Sequence, residues 1–143
     1  MKKKFIIAVD FDGTCVRHEF PNIGAEVPYC VDVLKELVKA GHNLILFTMR
    51  SDIEKPSSDI PDIHTKGGLY LSEAVNWFSE RGIVLYGINS NPTQKKWTHS
   101  PKVYANIYID DLALGCPLFY VSVGNPYVDW VAVRKLLVLN EFL

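Results

Sequence analysis

Two aspartates, Asp10 and Asp12, directly follow an apolar run near the start of the chain, and Gly13 and Thr14 come next. The run, residues 5–9, has the length and β-branched composition of a buried strand. Open α/β folds place their chemistry at the carboxyl ends of such strands. Two carboxylates delivered to one buried position repel each other unless a divalent cation or another positive group offsets their charge. This spacing predicts an acidic, metal-dependent site at the end of the first strand.

A second acidic pair follows another apolar run, where Asp110 and Asp111 come directly after Ile107–Ile109. The carboxyl ends of neighbouring parallel strands lie side by side, so these carboxylates and Asp10 could share one hard cation through oxygen ligands. The ordinary alternative is acids solvated in turns, and it requires two strands to end in this way by coincidence.

A threonine, Thr48, ends the apolar run that begins at Leu44. A hydroxyl group and free backbone N–H groups at a strand end are suited to binding phosphate oxygens. An ordinary threonine in a strand is the alternative, and Thr48 alone does not distinguish the two.

Apolar runs alternate with segments of helical periodicity along the whole chain. This rhythm predicts a Rossmann-like, parallel, five-stranded sheet in a three-layer α/β/α sandwich. Asn125 and Pro126 are typical of an N-cap and the first position of a helix, which predicts a C-terminal helix from there to about Leu139. The predicted strands are residues 5–9, 44–48, 83–86, 107–110 and 118–122, and the other predicted helices include residues 31–38 and 71–78.

Composition restricts the class of protein. With 143 residues, 48% of them hydrophobic, the chain fits a single domain, residues 1–143. A net charge of -1 gives no electrostatic reason to expect nucleic acid or an anionic membrane as partner.

The three cysteines, Cys15, Cys30 and Cys116, form no CxxC pair and are odd in number, which favours reduced thiols and a cytoplasmic location. The basic run at residues 2–4 precedes an apolar stretch too short for a secretory signal, and no stretch is long enough to cross a membrane.

The sequence DFDGT, residues 10–14 with the strand before it, resembles the first motif of the haloacid dehalogenase-like (HAD) superfamily of phosphatases and phosphotransferases. That motif reads Asp-x-Asp-x-Thr/Val directly after the first strand. Thr48 is similar to the second motif, and Asp110 with Asp111 is similar to the fourth, in the same order along the chain. The resemblance implies a HAD-like catalytic domain. The gaps at residues 15–43 and 50–101 leave no room for a cap domain, as in the small capless members.

The resemblance also implies roles for these residues. Asp10 is the nucleophile that forms an aspartyl-phosphate, and Asp12 protonates the leaving oxygen and later deprotonates the attacking water. Mg²⁺ is bound by the Asp10 carboxylate, the Asp12 backbone carbonyl and Asp110, with Asp111 binding through water or orienting a neighbour. Thr48 binds the phosphoryl group, and Thr14 bonds back to the turn that Gly13 forms.

A lysine that neutralises the phosphoryl oxygens belongs to the third motif, and its position here is ambiguous. Lys102, just ahead of the fourth predicted strand, is the expected phosphate-binding lysine, and Lys95 and Lys96 are alternatives. Each of the three also fits an ordinary solvated surface lysine.

The expected activity is therefore that of a Mg²⁺-dependent phosphatase acting on a phosphorylated substrate of unknown class. The second acid, Asp12, favours a phosphatase over a dehalogenase, because a halide leaving group needs no proton. A receiver-type signalling domain has the opposite motif order, whereas a phosphotransferase and a non-catalytic metal-binding module remain alternatives. Pocket-shaping roles are open to residues 18–29 and 51–68, and Arg17, Arg50 and His64 are expected on the surface, where they could contact a substrate. The last predicted helix is apolar on more than one face, which allows a homodimer.

Overall fold

The computed structural model describes residues 2–53 and 67–143, and within them it has three helices and eight short strands. The helices have 10 or 11 residues, and the strands have only two to four. A short 3₁₀ helix covers Gln94–Lys96. In chain order the elements are β1 (Ile6–Val9), α1 (Cys30–Lys39), β2 (Asn43–Leu46), β3 (Asp52–Ile53), β4 (Gly68–Leu69), α2 (Tyr70–Glu80), β5 (Gly87–Ile88), β6 (Ile107–Ile109), β7 (Leu118–Phe119), β8 (Tyr127–Val128) and α3 (Trp130–Leu139).

Four strands form one parallel sheet in the order β5-β2-β1-β6. The last residue of β1, Val9, pairs with Leu46 of β2 on one side and with Ile109 of β6 on the other. All three strands therefore end at one level, and the residues that follow them meet at the carboxyl edge of the sheet. The predicted α/β class with a parallel sheet flanked by helices is confirmed.

The helices and a long connecting segment lie on opposite faces of this sheet. One face carries the apolar core, in which Ile7 and Val9 of β1 pack with the buried residues of α1, α2 and α3. Ala8 points to the other face and is buried as well. Residues 89–106 cover that second face. The Tyr108 hydroxyl donates to the Val103 carbonyl, and a side chain at Gly87 would overlap the carbonyl of Ser90.

The order of the strands explains this division. The chain steps from β1 through α1 to β2, and then through α2 to β5, in one direction across the sheet. It then returns past β1 to β6. Because parallel crossovers are right-handed, the reversal puts residues 89–106 on the face opposite α1 and α2. The reversal point lies between β1 and β6, and the crevice at the carboxyl ends of two such strands is the usual ligand site of an open α/β sheet.

Two predicted strands differ from the observed ones. The predicted strand at residues 83–86 is displaced, because the residues that pair with β2 are Gly87 and Ile88. The predicted fifth strand of the sheet is not confirmed among the described residues, since Leu118–Phe119 pairs antiparallel with Tyr127–Val128 in a separate two-stranded sheet. Phe119 and Tyr120 are 51% and 76% exposed, so this segment lacks the buried faces that a strand inside a parallel sheet requires.

The C-terminal helix begins later than predicted. Asn125 and Pro126 precede β8 instead of capping the helix, and the N-cap is Asp129, whose carboxylate accepts the backbone N–H of Ala132 at 3.1 Å. Pairing of β8 with β7 holds residues 127 and 128 extended, so the helix starts only at Trp130.

One face of α3 is buried against the core through Trp130, Val133 and Leu137, whereas Val138 and Leu139 are exposed. Arg134 also forms an ion pair with Glu36 of α1 at 2.9 Å. Of the helices that the structure describes, none is long and apolar enough to cross a bilayer. The homodimer through α3 stays a prediction.

Candidate active site

Three carboxylates lie together at the carboxyl edge of the sheet. Asp10 follows β1, and Asp110 and Asp111 follow β6; one oxygen from each lies within 4.8 Å of the others. The backbone N–H of Asp10 donates to the carbonyl of Ile109 at 3.0 Å, which joins the ends of the two strands. The cluster therefore occupies the reversal point of the sheet.

The turn after β1 holds Asp10 and Asp111 in place. The Thr14 hydroxyl donates to Asp10 Oδ2 at 3.0 Å and accepts the backbone N–H of Asp111 at 3.2 Å. Gly13 has φ +81°, a backbone conformation that residues other than glycine rarely adopt. A Cβ added at this position would lie 2.7 Å from Asp111 Cγ and closer still to Asp111 Oδ2. A side chain at position 13 would therefore displace the Asp111 carboxylate.

The same turn is supported from the core by Trp130, which no sequence pattern places near the site. Its indole N–H donates to the carbonyl of Thr14 at 2.7 Å, and the side chain is 1% exposed. The first residue of α3 thus fixes the backbone of the acidic turn. No motif marks this role, because the two residues are 116 positions apart.

Burial, followed by the charge of Asp110, raises the pKa of Asp10 to about 8, and a hydrogen bond with Asp111 acts in the same direction. Hydrogen bonds from the Phe11 backbone and Thr14 oppose this effect. Burial also raises the pKa of Asp111. Asp10 and Asp111 therefore resist ionising beside the charge of Asp110 when no positive charge is near. A divalent cation bound among them would supply that charge, because carboxylate oxygens are ligands that Mg²⁺ and Ca²⁺ prefer.

The Asp12 carboxylate does not belong to this cluster of three. It forms a two-point ion pair with Arg50, in which Nε lies 2.7 Å from Oδ2 and Nη2 lies 2.8 Å from Oδ1. The side chain of Asp12 is therefore directed by an arginine, and the metal contact expected of this residue is through its backbone carbonyl.

The expectation that Arg50 lies on the surface is wrong. Arg50 is 3% exposed, and its guanidinium lies 5.2 Å from the ring centre of Phe11 and 5.1 Å from that of Phe20. Two flanking aromatic faces and a carboxylate provide the partners that a buried guanidinium needs. The position of Arg50 two residues after Thr48, at the carboxyl edge of the sheet, is the signal that could have identified it.

Thr48 lies at the same edge, two residues beyond the pairing of Leu46 with Val9. Its backbone N–H donates to the Asn89 side-chain carbonyl at 2.8 Å, and its hydroxyl oxygen accepts the backbone N–H of Arg50 at 3.1 Å. Within residues 2–53 and 67–143 the hydroxyl hydrogen has no acceptor, so it remains available to a ligand oxygen. Asn89, with φ +51°, is a second supporting residue that the sequence analysis missed.

Lys102 is not brought into contact with the acidic cluster. It is exposed, and its ammonium lies 5.9 Å from the centre of the Tyr108 ring. No carboxylate of the described part of the chain lies within 4.0 Å of it. Its backbone is fixed, because its carbonyl accepts the side-chain amide of Gln94 at 2.6 Å. Lys95 and Lys96 are exposed residues of the 3₁₀ helix. The choice among the three lysines therefore stays a prediction.

The segments expected to shape a pocket are described only in part. Within residues 18–29, the carbonyls of Pro21 and Asn22 bond to Arg50. Arg17 donates to the carbonyl of Val123 at 3.2 Å and lies against the Tyr127 ring. Most of the segment 51–68, including His64, lies outside the described residues.

No protein-family model and no curated protein matches the chain. A solved structure does match, described as that of a conserved protein coded by a locus from Bacteroides thetaiotaomicron. The two chains are 32% identical, with a TM-score of 0.71, and the match covers 96% of this chain and 93% of the other. Identity and coverage of this extent over whole chains reflect common descent and not a shared fold alone. The chain belongs to the same family as this conserved Bacteroides thetaiotaomicron protein.

Proposed function

We propose that the protein is a Mg²⁺-dependent phosphatase of the HAD-like superfamily that acts through an aspartyl-phosphate on Asp10. The observation that carries the proposal is the convergence of Asp10, Asp110 and Asp111 at the reversal point of the sheet. Thr48 at the next strand end adds a hydroxyl suited to a phosphoryl oxygen. This combination of a nucleophile, hard-cation ligands and a phosphate donor group is the set that phosphoryl transfer requires.

A capless three-layer sandwich of the HAD type fits the arrangement of the elements. Residues 89–106, with their 3₁₀ helix, are the third layer in this interpretation, opposite α1 and α2. The β7–β8 pair lies beside the site in place of a fifth strand, because the Val128 backbone N–H donates to the Gly13 carbonyl at 3.0 Å. An active site without a lid is open to a large phosphorylated substrate.

The residues of the cluster fit a bound Mg²⁺. The Asp10 and Asp110 carboxylates and the Asp12 backbone carbonyl would hold it, and Asp111 would bind through water or orient a neighbouring ligand. When bound, the cation neutralises charge on the transferring phosphoryl group and on the crowded carboxylates. The remaining chemistry is assigned to the side chains of the chain itself.

In the first half-reaction, an Asp10 carboxylate oxygen attacks phosphorus and the bond from phosphorus to the leaving oxygen breaks. The electron pair stays on the leaving oxygen, which takes a proton from Asp12 and departs as an alcohol. Thr48 and backbone N–H groups of the turn hold the other phosphoryl oxygens. Thr14, bonded to Asp10 Oδ2, keeps the nucleophile in its attacking orientation.

In the second half-reaction, water attacks phosphorus and gives a proton to Asp12. The bond between phosphorus and the Asp10 oxygen breaks, which releases inorganic phosphate and restores the carboxylate. An alcohol in place of water gives phosphotransfer by the same route. Measurement of released phosphate against transferred phosphate separates these two activities.

We expect purified protein to release phosphate from 4-nitrophenyl phosphate or from members of a phosphometabolite panel only in the presence of Mg²⁺. Chelation with EDTA should abolish the release, and added Mg²⁺ should restore it, because the cluster cannot ionise fully without a cation. A phosphate-release assay across a Mg²⁺ titration measures this dependence. Protein that is inert with the entire panel at saturating Mg²⁺ contradicts the proposal and favours a non-catalytic metal-binding module.

We expect Lys102→Met to lower kcat/KM by about 10- to 100-fold, since a cation beside the phosphoryl oxygens offsets charge that grows in the transition state. In this proposal the long side chain reaches the phosphoryl group from its exposed position over Tyr108. Lys135→Met, on the exposed part of α3, is the matched control and should retain wild-type kinetics. An unchanged Lys102→Met protein, with the loss found instead in Lys95→Met or Lys96→Met, contradicts the assignment.

A further inference from the structure

Arg50 uses its entire donor set inside the protein. A guanidinium has five N–H groups. Nε and one N–H of Nη2 bond to Asp12, and the other Nη2 hydrogen reaches the carbonyl of Asn22 at 2.8 Å. Nη1 contacts the carbonyls of Pro21 and Tyr70 at 3.3 and 3.5 Å. No N–H group is left to bind a substrate, so any influence of Arg50 on the chemistry passes through its partners.

Those partners belong to three separate parts of the chain. Asp12 lies in the acidic turn, Pro21 and Asn22 lie in the segment before α1, and Tyr70 begins α2. The side chains of Arg50 and Asp12 are 1% and 13% exposed. The Asp12 carboxylate is therefore held by two hydrogen bonds to a guanidinium that also bonds to backbone carbonyls, and only a small part of the carboxylate faces solvent.

We propose that Arg50 is a positioning residue for Asp12. It fixes the direction of the Asp12 carboxylate, so that a water molecule entering the site meets that carboxylate in one orientation. This role rests on the proposed phosphatase function. In that function the Asp12 carboxylate receives the proton of the attacking water, and the buried Arg50 aligns this carboxylate. The fork geometry of arginine is required, because lysine cannot bond both carboxylate oxygens in one plane.

The two half-reactions depend on Asp12 to different extents. A nitrophenolate leaving group departs without a proton, so formation of the aspartyl-phosphate from 4-nitrophenyl phosphate does not need Asp12 as an acid. Hydrolysis of the aspartyl-phosphate does need Asp12 as a base. Misdirection of Asp12 therefore slows the second half-reaction selectively.

The test is stopped-flow release of nitrophenol from 4-nitrophenyl phosphate with Mg²⁺, by wild type, Arg50→Lys and Arg81→Lys. Arg81 is a matched control, because it also pairs with a carboxylate, Glu26 at 2.9 Å, and lies over an aromatic ring, that of Trp77. We expect Arg50→Lys to keep a first turnover within about threefold of wild type and to lose about 10- to 100-fold in steady-state turnover. Arg81→Lys should match wild type in both phases. Equal losses in both phases, or no loss, overturn the positioning role.

Loss of Arg50 leaves a buried carboxylate without its partner, so a single variant can fail to fold. The double variant Asp12→Asn/Arg50→Gln avoids this problem, because it has no unpaired buried charge. Its reference is Asp12→Asn, in which the Phe11 and Phe20 rings still flank the guanidinium. If Arg50 acts through Asp12, the second substitution changes steady-state turnover less than about twofold. A further loss of about tenfold in the double variant shows an independent role and overturns the proposal. Wild type that releases no nitrophenol instead contradicts the phosphatase function, and the positioning role falls with it.

Discussion

Asp10→Asn is expected to release phosphate at least about 10³-fold more slowly than wild type while keeping the native fold. The amide has no anionic oxygen with which to attack phosphorus, so the covalent step is lost. Folding should be retained because burial and Asp110 raise the pKa of Asp10 to about 8, which leaves this acid largely protonated at pH 7 in metal-free protein. Asparagine has the same shape as that protonated form.

Phosphate release and thermal unfolding, measured side by side, check this expectation. Asp32→Asn, at an exposed position on α1, is the matched control and should retain wild-type activity. A further measurement is the trapping of labelled phosphoryl groups on acid-quenched protein, which should be found on wild type and be absent from Asp10→Asn. Substantial turnover by Asp10→Asn assigns the nucleophile to another residue.

Gly13→Ala should destabilise the protein by about 2–4 kcal/mol and remove most of its Mg²⁺-dependent activity. About 1–2 kcal/mol arises from the left-handed backbone at φ +81°. The remainder comes from overlap of the new Cβ with the Asp111 carboxylate, which must move away from Asp10. Displacement of Asp111 disturbs the cluster as well as the fold.

Gly82→Ala separates these two causes. Gly82 has φ +70°, and among the described residues no atom lies within 4 Å of the point that an added Cβ would occupy, so it has the backbone strain without the overlap. We expect Gly82→Ala to lose only about 1–2 kcal/mol and to keep full activity. Chemical denaturation gives the stabilities, and isothermal titration gives the Mg²⁺ affinities. Equal effects of the two substitutions contradict the role assigned to Gly13.

The strands that carry the acids were predictable, because each is an apolar run that ends in aspartate. Residues 5–9 and 107–109 contain no charged residue, so their pattern indicates buried strands clearly. The carboxyl ends of neighbouring parallel strands lie at the same edge of a sheet, which places the two acidic pairs together. The strand near residue 85 was misplaced, since a short edge strand needs few buried side chains and Gly87 gives no periodic signal. Asp129 was overlooked as a cap because Asn125 and Pro126 form an equally good local signal.

The support of the site was not predictable from spacing. Arg50 and Asp12 are 38 positions apart, and Trp130 and Thr14 are 116 apart. Each of these contacts satisfies a buried polar group, and that requirement exists only once the chain is folded. A sequence pattern identifies which groups can do chemistry, whereas the groups that orient them become visible only in three dimensions.

The cluster at the reversal point joins strands that are about 100 residues apart in the chain. In the proposed function, this separation couples cation binding to folding. Asp10 and Asp110 are not held close together in an unfolded chain, so we expect the proposed cation to bind essentially to the folded protein alone. Each increment of binding free energy is then added to the free energy of unfolding. The amide hydrogens that join β1 to β6 hold an edge strand in the sheet, and we expect their exchange with solvent to slow as the cation concentration rises. In the proposed function, the site therefore also stabilises the pairing of β1 with β6.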